Sequence, residues 1–372
     1  MSRRTVVDAF PRPRLVPGAA RATRARLLDH FDGLFASGTD AVRVTLECLA
    51  PSLPRELVVP SYNCGVEVEA ACAAGFAVRA VRVDNAMRLD IEDLTRALRA
   101  RPAAVLLIHY FGFEPPEREA VAALCRAEGV PLIEDCAHAL FPLGDGRSAA
   151  LIGDAATFSL RKFLPLVDGG ALRIGNADVV RRPPALQHAE GSLRLAARAS
   201  ARQLVGDSLI SRLRGLSADE GITPPPIWNT HRPAAPQGMS RFSRRLPGVA
   251  SPDLIATLRR TRFLELAAAL ERVGVAVVPR RALGAHEVPL VVPVVVRDRT
   301  AALRALGRTL IRPYVFGEHA HPATPRGQGG RADELRDAVL GLPVHQDIGA
   351  RDWRWLVDTL PTLLTPFARP WP

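Results

Sequence analysis

The first half of the chain alternates short, near-continuous apolar runs with segments whose apolar residues recur every three to four positions. The apolar runs predict strands at 57–60, 78–83, 104–108 and 130–133. The segments between these runs predict helices at 66–74, 91–98 and 115–128. Because strands that are apolar on both faces need helices on both sides, the pattern predicts an α/β fold with a mostly parallel sheet.

The same patterning extends to both sides of this alternation. Apolar spacing over 27–35 predicts a helix that a Ser-Gly-Thr turn at 37–39 ends, and a second helix is expected over 40–49. Residues 176–246 carry many arginines and then a proline cluster, which predicts a helix and a long surface loop. From residue 251 a new pattern begins. It predicts helices at 252–273, 301–306, 332–339 and 352–364 and a strand at 288–296. We therefore expect a large domain over 1–248, with an N-terminal arm and the 176–246 insertion, and a smaller C-terminal α/β domain over 249–372.

Composition narrows the class of protein. Apolar residues make up 48% of the chain, which is typical of a globular protein. The sequence has no run of about 18 or more apolar residues, so it predicts no membrane span. The N-terminus lacks the apolar region of a signal peptide, and the five cysteines are odd in number with no metal-ligand spacing. We expect a cytoplasmic protein with free thiols and no metal site.

The formal net charge of +11 first indicates a nucleic-acid partner. The arginines are, however, spread along the whole chain among 38 acidic residues, without a long basic tract. We therefore expect no nucleic-acid partner, and attribute to the charge only an attraction for an anionic substrate.

One residue stands apart chemically. Lys162 is the only lysine in 372 residues, and the other 48 of the 49 lysine and arginine residues are arginine. A lysine amine can lose its proton and form a Schiff base, which a guanidinium cannot. Lys162 follows a predicted strand and precedes Gly169-Gly170, which permits close backbone approach. We interpret it as a catalytic lysine; the alternative is a surface residue that survived by chance.

Two other features come before Lys162 in the chain. The Ser37-Gly38-Thr39 turn precedes a predicted helix, where free amides and the helix dipole favour an anion. Asp135 lies at the carboxyl end of a buried strand, the edge where α/β sheets bind ligands. A helix cap and a structural carboxylate are the alternatives for each alone. Together with Lys162 they supply the phosphate site, ring-nitrogen partner and Schiff-base lysine that pyridoxal 5'-phosphate requires.

The chain resembles the DegT/DnrJ/StrS-type family of pyridoxal phosphate-dependent sugar aminotransferases. The resemblance is carried by several short blocks whose order and spacing match the family. These blocks are Ser-Gly-Thr at 37–39, Val-Val-Pro-Ser-Tyr at 58–62, Ile-His-Tyr-Phe-Gly at 108–112, Ile-Glu-Asp-Cys-Ala-His at 133–138, Gly-Asp-Ala-Ala-Thr-Phe-Ser at 153–159, the spacing from Lys162 to Gly169-Gly170, and Leu-Pro-Val-His at 342–345. The resemblance implies fold type I of the pyridoxal phosphate-dependent transferases, with a seven-stranded, mostly parallel sheet.

The resemblance also implies roles for individual residues. Lys162 and Asp135 are expected to be catalytic, with Lys162 holding the cofactor as a Schiff base and Asp135 keeping its ring nitrogen protonated. The residues expected to contact the cofactor are Ser37, Gly38, Thr39, Cys64, Asp135, His138, Ser159 and Lys162. The residues expected to contact the substrate are Tyr62, His109, Arg241 and His319. Members are usually homodimers with shared active sites, and the segment around Gly238–Arg241 is expected to reach the partner's site.

Several positions depart from the family pattern. Cys64 stands where an aromatic residue usually stacks on the cofactor ring, and His138 replaces a glutamine. The chain between Ser159 and Lys162 is two residues shorter than the common pattern, and the usual Tyr-Asn-x-Arg-Met segment is not recognisable in 225–245.

The resemblance predicts an aminotransferase that moves an amino group from glutamate or glutamine to a keto-sugar, probably nucleotide-linked, in polysaccharide or secondary-metabolite synthesis. The departures leave two alternatives open. One is an enzyme of the same fold that acts on a cyclitol or another non-sugar ketone. The other is a non-catalytic family member that acts as a regulator, for which the net charge is the only support.

Overall fold

The computed structural model describes residues 7–11, 27–50, 54–140, 152–189, 235–245, 251–327 and 329–371. Its central element is a seven-stranded sheet with the order β2-β8-β7-β6-β5-β3-β4. The strands are β2 (Gly33–Phe35), β3 (Glu56–Pro60), β4 (Ala77–Val81), β5 (Ala104–Ile108), β6 (Leu132–Cys136), β7 (Ala155–Ser159) and β8 (Gly170–Ile174). β3 to β7 pair in parallel, whereas β8 and β2 are antiparallel to their neighbours. The predicted mostly parallel sheet is therefore confirmed.

The helices begin and end close to the positions that the apolar periodicity predicts. The helix over 91–98 has the predicted bounds, while the one predicted over 115–128 begins three residues later, after two prolines. The helices of the described chain are α1 (Gly38–Glu47), α2 (Val66–Ala73), α3 (Ile91–Leu98), α4 (Arg118–Glu128), α5 (Arg241–Arg245), α6 (Pro252–Glu271), α7 (Arg299–Arg308), α8 (Ala332–Ala338) and α9 (Ala350–Leu364). No helix in these parts of the chain is both long and apolar enough to cross a bilayer.

Burial explains why the centre of the sheet reads as continuous apolar sequence. Every residue of β5, β6 and β7 is buried. Such strands need apolar or fully paired side chains on both faces. The two acidic residues of β6, Glu134 and Asp135, stand at its carboxyl end and point to opposite faces because side chains alternate along a strand.

The C-terminal part adds two small sheets. β9 (Val291–Val295) pairs antiparallel with β11 (Val339–Pro343), and β10 (Ile311–Arg312) pairs in parallel with β1 (Val7–Asp8) from the other end of the chain. Phe10, just after β1, lies against Tyr314, just after β10, with ring centroids 4.7 Å apart. The N-terminal strand is therefore part of the C-terminal packing.

One predicted helix is wrong in its second half. Residues 27 and 28 are helical, but Gly33–Phe35 form β2, which pairs antiparallel with β8. Phe35 is buried in a small apolar cluster with α1 and β8, and this tertiary pairing overrides the local spacing. Most of the helix and loop predicted over 176–246 lies outside the described residues.

The buried guanidinium of Arg336, in α8, connects the C-terminal part to the end of β3. It donates hydrogen bonds to the carbonyls of Ser61 and Asn63, both at 2.7 Å, and to the carbonyl of Gly317. Only 1% of this side chain is exposed. The N–H groups of Nη1 and Nη2 thereby satisfy two carbonyls of the turn after β3.

Candidate active site

Lys162 ends a single 3-10 turn, Leu160–Lys162, that follows β7 directly. The Leu160 amide donates to the Gly169 carbonyl, so the turn is closed by the glycine pair downstream. Burial lowers the pKa of the Lys162 ammonium, while Cys64, Asp135 and Glu67 act in the opposite direction. This environment favours an amine that releases its proton more readily than a surface lysine.

Asp135 comes next in the site, at the carboxyl end of β6. Its Oδ1 accepts a hydrogen bond of 2.9 Å from the Ala137 amide, and 9% of the residue is exposed. Burial raises the pKa of the carboxyl to about 6, with Glu67 as a second cause and Lys162 opposing the shift. Asp135 and Lys162 thus lie close enough to influence each other's charge.

The Ser-Gly-Thr turn lies beside the end of β7. Ser37 is the N-cap of α1: its Oγ accepts from the Asp40 amide at 3.1 Å and donates to the Asp40 carboxylate at 2.8 Å. A Cβ on Gly38 would lie 3.2 Å from Ser159 Cβ, so this turn and Ser159 border the same space. The Asp40 carboxylate is held by the cap, and the amides of Gly38 and Thr39 open the helix.

Gly170 shows why a glycine pair follows the lysine. An added Cβ would lie 2.0 Å from the Ser37 carbonyl oxygen, which is backbone and cannot move aside cheaply. The first residue of β8 therefore holds the Ser37 turn in place by close backbone contact.

Cys64 lies within electrostatic reach of Lys162 but is committed to a local contact. Its thiol donates to Glu67 Oε2 and its amide to Glu67 Oε1, both at 2.9 Å. Burial raises the pKa of this thiol well above its usual range, and Glu67 adds to the effect. Cys64 is therefore a protonated thiol beside the amine.

Two further side chains complete the surroundings of Lys162. Tyr314 Oη lies 3.3 Å from Nζ, and His138 Nε2 lies 3.1 Å from the same hydroxyl. The sequence analysis singled out His138 but missed Tyr314. Tyr314 is 152 residues from Lys162, and being one of three tyrosines is the only mark it carries in the sequence.

The residues predicted to contact substrate lie in different settings. Tyr62 and His109 have no exposed surface, and their side chains bond to the Phe316 carbonyl (3.4 Å) and to Glu134 (3.0 Å). These bonds hold both side chains in the protein interior. Arg241 is the exposed first residue of α5, and His319 is partly buried, with its carbonyl accepting from Arg336.

The segment before α5 is anchored within its own chain. Ser240 donates to the Asp168 carboxylate through its amide at 2.9 Å and its hydroxyl at 2.8 Å. The Met239 amide donates to the Leu34 carbonyl. The start of this segment is therefore fixed against the Asp168 loop.

Glu134, on the other face of β6 from Asp135, is the centre of a buried ionic cluster. It accepts from Arg118 Nε at 2.6 Å, from His109 Nε2 at 3.0 Å and from the Gly153 amide at 3.1 Å. Hydrogen bonds and charge from His109 and Arg118 outweigh burial and lower the pKa of this carboxyl to about 2. The cluster joins β5, β6 and α4 behind the site.

We expect Glu134→Gln to destabilise the protein by about 3 kcal/mol at pH 7, because a downward shift of this size is worth that much. A carboxyl with a lowered folded-state pKa stabilises above its unfolded value near 4.5 and loses that effect as the pH falls towards 2. Urea denaturation at several pH values measures the difference. Glu114→Gln is the matched control, since Glu114 pairs with the same Arg118 but is 46% exposed. Equal losses in the two variants would contradict the prediction.

The chain is similar to known aminotransferases over part of its length. Residues 34–206 match the model of the DegT/DnrJ/EryC1/StrS aminotransferase family. The chain is 25% identical over 173 residues to GDP-perosamine synthase of Vibrio cholerae, covering 43% of this chain and 47% of that protein. It is 31% identical over 150 residues to L-glutamine:scyllo-inosose aminotransferase of Streptomyces griseus, covering 40% of this chain and 35% of that protein. The chain thus spans less than half the length of these relatives.

A solved structure matches over a longer span. The aminotransferase TlmJ from Streptoalloteichus hindustanus superposes with a TM-score of 0.65 at 21% identity, covering 93% of this chain and 90% of that one. At this identity the match shows the fold, which is that of the fold type I aminotransferases. Residues 34–206, with Asp135 and Lys162 among them, thus match the model of the DegT/DnrJ/EryC1/StrS aminotransferase family, which confirms the resemblance seen in the sequence.

Proposed function

We propose that this protein is a pyridoxal 5'-phosphate-dependent aminotransferase that transfers an amino group from glutamate or glutamine to a nucleotide-linked keto-sugar. The observation that carries the proposal is the environment of Lys162. Its amine lies close enough to Asp135 for each group to shift the pKa of the other, and Lys162 is the last residue of the turn that Ser159 caps. Aminotransferases of this family use this cofactor.

The residues around that space fit the cofactor chemically. A phosphate needs hydrogen-bond donors, and the N-terminus of α1 with Ser159 supplies them. A ring nitrogen needs a carboxylate, and Asp135 has a raised pKa that a bound cation would lower. Thr157 pairs with Asp135 across β6 and β7, and its hydroxyl is buried without a hydrogen-bond partner in the described chain. An unsatisfied buried hydroxyl is expected where a polar ligand binds.

The chain's own residues then divide the work. When bound, the cofactor supplies an electron sink for the bonds around the donor's amino carbon. Lys162 holds it covalently and moves a proton at Nζ, while Asp135 holds a proton on its ring nitrogen. Gly38, Thr39 and Ser159 bind the phosphate, and Ser37 orders the turn by capping α1.

The acceptor class follows from the relatives. GDP-perosamine synthase is named for a nucleotide-linked sugar, and the Streptomyces griseus relative is named for a cyclitol ketone. The sugar is our main proposal, and the excess positive charge of the chain favours a phosphate-bearing substrate. A cyclitol is the second candidate, because the cyclitol enzyme matches this chain over a span similar to that of the nucleotide-sugar enzyme.

We further propose a cytoplasmic homodimer whose chain divides near residue 249 into a large cofactor-binding domain and a smaller C-terminal domain. Tyr62, His109, Arg241 and His319 remain predicted substrate contacts.

The test combines cofactor trapping with turnover. The purified protein is incubated with pyridoxal 5'-phosphate, reduced with borohydride and digested, and the cofactor is expected on the peptide that contains Lys162. Glutamate should then convert bound cofactor to its amine form, and a panel of nucleotide-linked keto-sugars should restore it. Restoration by a cyclitol ketone alone supports the second candidate. Failure to trap the cofactor on Lys162 contradicts both.

A further inference from the structure

The hydroxyl of Tyr314 lies between two nitrogen atoms. Oη is 3.3 Å from Lys162 Nζ and 3.1 Å from His138 Nε2. Aromatic rings surround it: Phe10 lies edge-on at 4.7 Å between centroids, and Phe316 lies at 6.2 Å. The residue roles proposed above do not include Tyr314.

The backbone fixes the proton on His138. The Phe111 amide donates to His138 Nδ1 at 3.1 Å, so Nδ1 carries a lone pair. Burial lowers the pKa of this imidazole well below its usual range, with Lys162 as the second cause, so the ring is neutral. A neutral ring with a lone pair on Nδ1 carries its proton on Nε2, and it therefore donates to Tyr314 Oη.

The hydroxyl proton of Tyr314 also needs an acceptor. Burial raises the pKa of Tyr314 well above its usual range, so the hydroxyl keeps its proton. His138 Nε2 cannot accept that proton, because it already carries one. Among the described side chains, the other group within hydrogen-bond distance of Oη is Lys162 Nζ at 3.3 Å, which donates to Oη when it is charged and accepts from Oη only when it is an uncharged amine. With a charged Lys162, the phenol proton would have no acceptor among the described side chains.

We infer that His138 and Tyr314 form a donor relay, from Nε2–H to Oη and from Oη–H to Nζ, that favours the uncharged form of the Lys162 amine. Tyr314 touches the reacting nitrogen, and His138 is a positioning residue that acts through it. The inference rests on the proposed function only for the catalytic purpose of the uncharged amine, which is the form that attacks a cofactor aldehyde.

Other groups act on the same nitrogen. Those with an electrostatic influence on Lys162 are Cys64, Asp135, Glu67 and Arg161. Asp135 and Glu67 favour the charged amine, so the relay opposes them together with burial. The hydrogen bond from Tyr314 is thus a separable contribution, which its removal measures.

The lone lysine makes a direct test possible. The full chain in cofactor-free form, grown with lysine carrying ¹⁵N at Nζ and ¹³C at Cε, gives one lysine side-chain signal, which is followed against pH by NMR. The wild-type midpoint is expected below that of an ordinary lysine. In Tyr314→Phe the midpoint should rise by roughly one pH unit, the size of one hydrogen bond to the neutral form.

Tyr110→Phe is the matched control, because it removes another buried tyrosine hydroxyl, one that donates to the Tyr62 carbonyl. Its midpoint should equal that of the wild type. An unchanged or lower midpoint in Tyr314→Phe overturns the relay, and so does a wild-type midpoint at or above the ordinary lysine value. Because no cofactor is present, these results are independent of trapping on Lys162: trapping can fail while the shift holds, and the reverse.

Discussion

Lys162→Arg is expected to reduce transamination by about 10³-fold or more while leaving the fold intact. Arginine is a basic side chain of similar length, but its guanidinium neither forms the covalent link nor moves the proton at this position. Turnover of glutamate with a saturating keto-acceptor measures the loss. Far-ultraviolet circular dichroism shows whether the variant is folded.

The neighbouring residue offers a strict control for this prediction. Arg161 precedes Lys162 and is exposed. The double variant Arg161→Lys/Lys162→Arg keeps one lysine in the chain but moves it by one position. It should be as inactive as Lys162→Arg, and borohydride should not trap the cofactor on residue 161. Activity within about tenfold of wild type in either variant would contradict covalent catalysis by Lys162.

Asp135→Asn is expected to have two opposite effects. It should reduce transamination by about 10²-fold or more, since a neutral amide does not stabilise a protonated ring nitrogen. It should also stabilise the cofactor-free protein above pH 6 by about 1–3 kcal/mol. The folded-state pKa of Asp135 is raised to about 6, so its ionisation costs stability as the pH rises from its unfolded value near 3.8 through 6.

Urea denaturation of the cofactor-free protein at pH 4 and pH 7.5 separates these effects. Wild type and Asp135→Asn should be close in stability at the lower pH and diverge at the higher one. Asp154→Asn is a useful comparison, because Asp154 also accepts a backbone hydrogen bond at the edge of β6 but lies outside the proposed site. A destabilised Asp135→Asn at pH 7.5 would show that the carboxylate is structural.

Local pattern predicts much of this fold because the central strands are buried on both faces. The strand over 104–108 and the helix over 91–98 have the bounds that apolar spacing predicts. Gly33–Phe35 does not, because its partner strand β8 lies far along the chain and decides its conformation. Local spacing carries no information about such a pairing.

In the site, too, some residues can be recognised from local sequence and others depend on distant partners. Asp135, Lys162 and the Ser-Gly-Thr turn each carry a local mark: a strand end, a unique residue type and a helix start. Tyr314 carries none, because its place beside Lys162 depends on the packing of the C-terminal part against β1 and the end of β7. The roles of His138 and Cys64 likewise depend on their bonding partners, Tyr314 and Glu67, which the sequence does not reveal.

The buried guanidinium of Arg336 has a consequence for how ligands arrive and leave. Swinging α8 away from the end of β3 would strip a desolvated cation of the Ser61 and Asn63 carbonyls at once. A hinge motion that separates α8 from the end of β3 therefore has a high energy barrier. Exchange of substrate and product is expected to proceed instead by rearrangement of surface segments, at rates that do not depend on this contact.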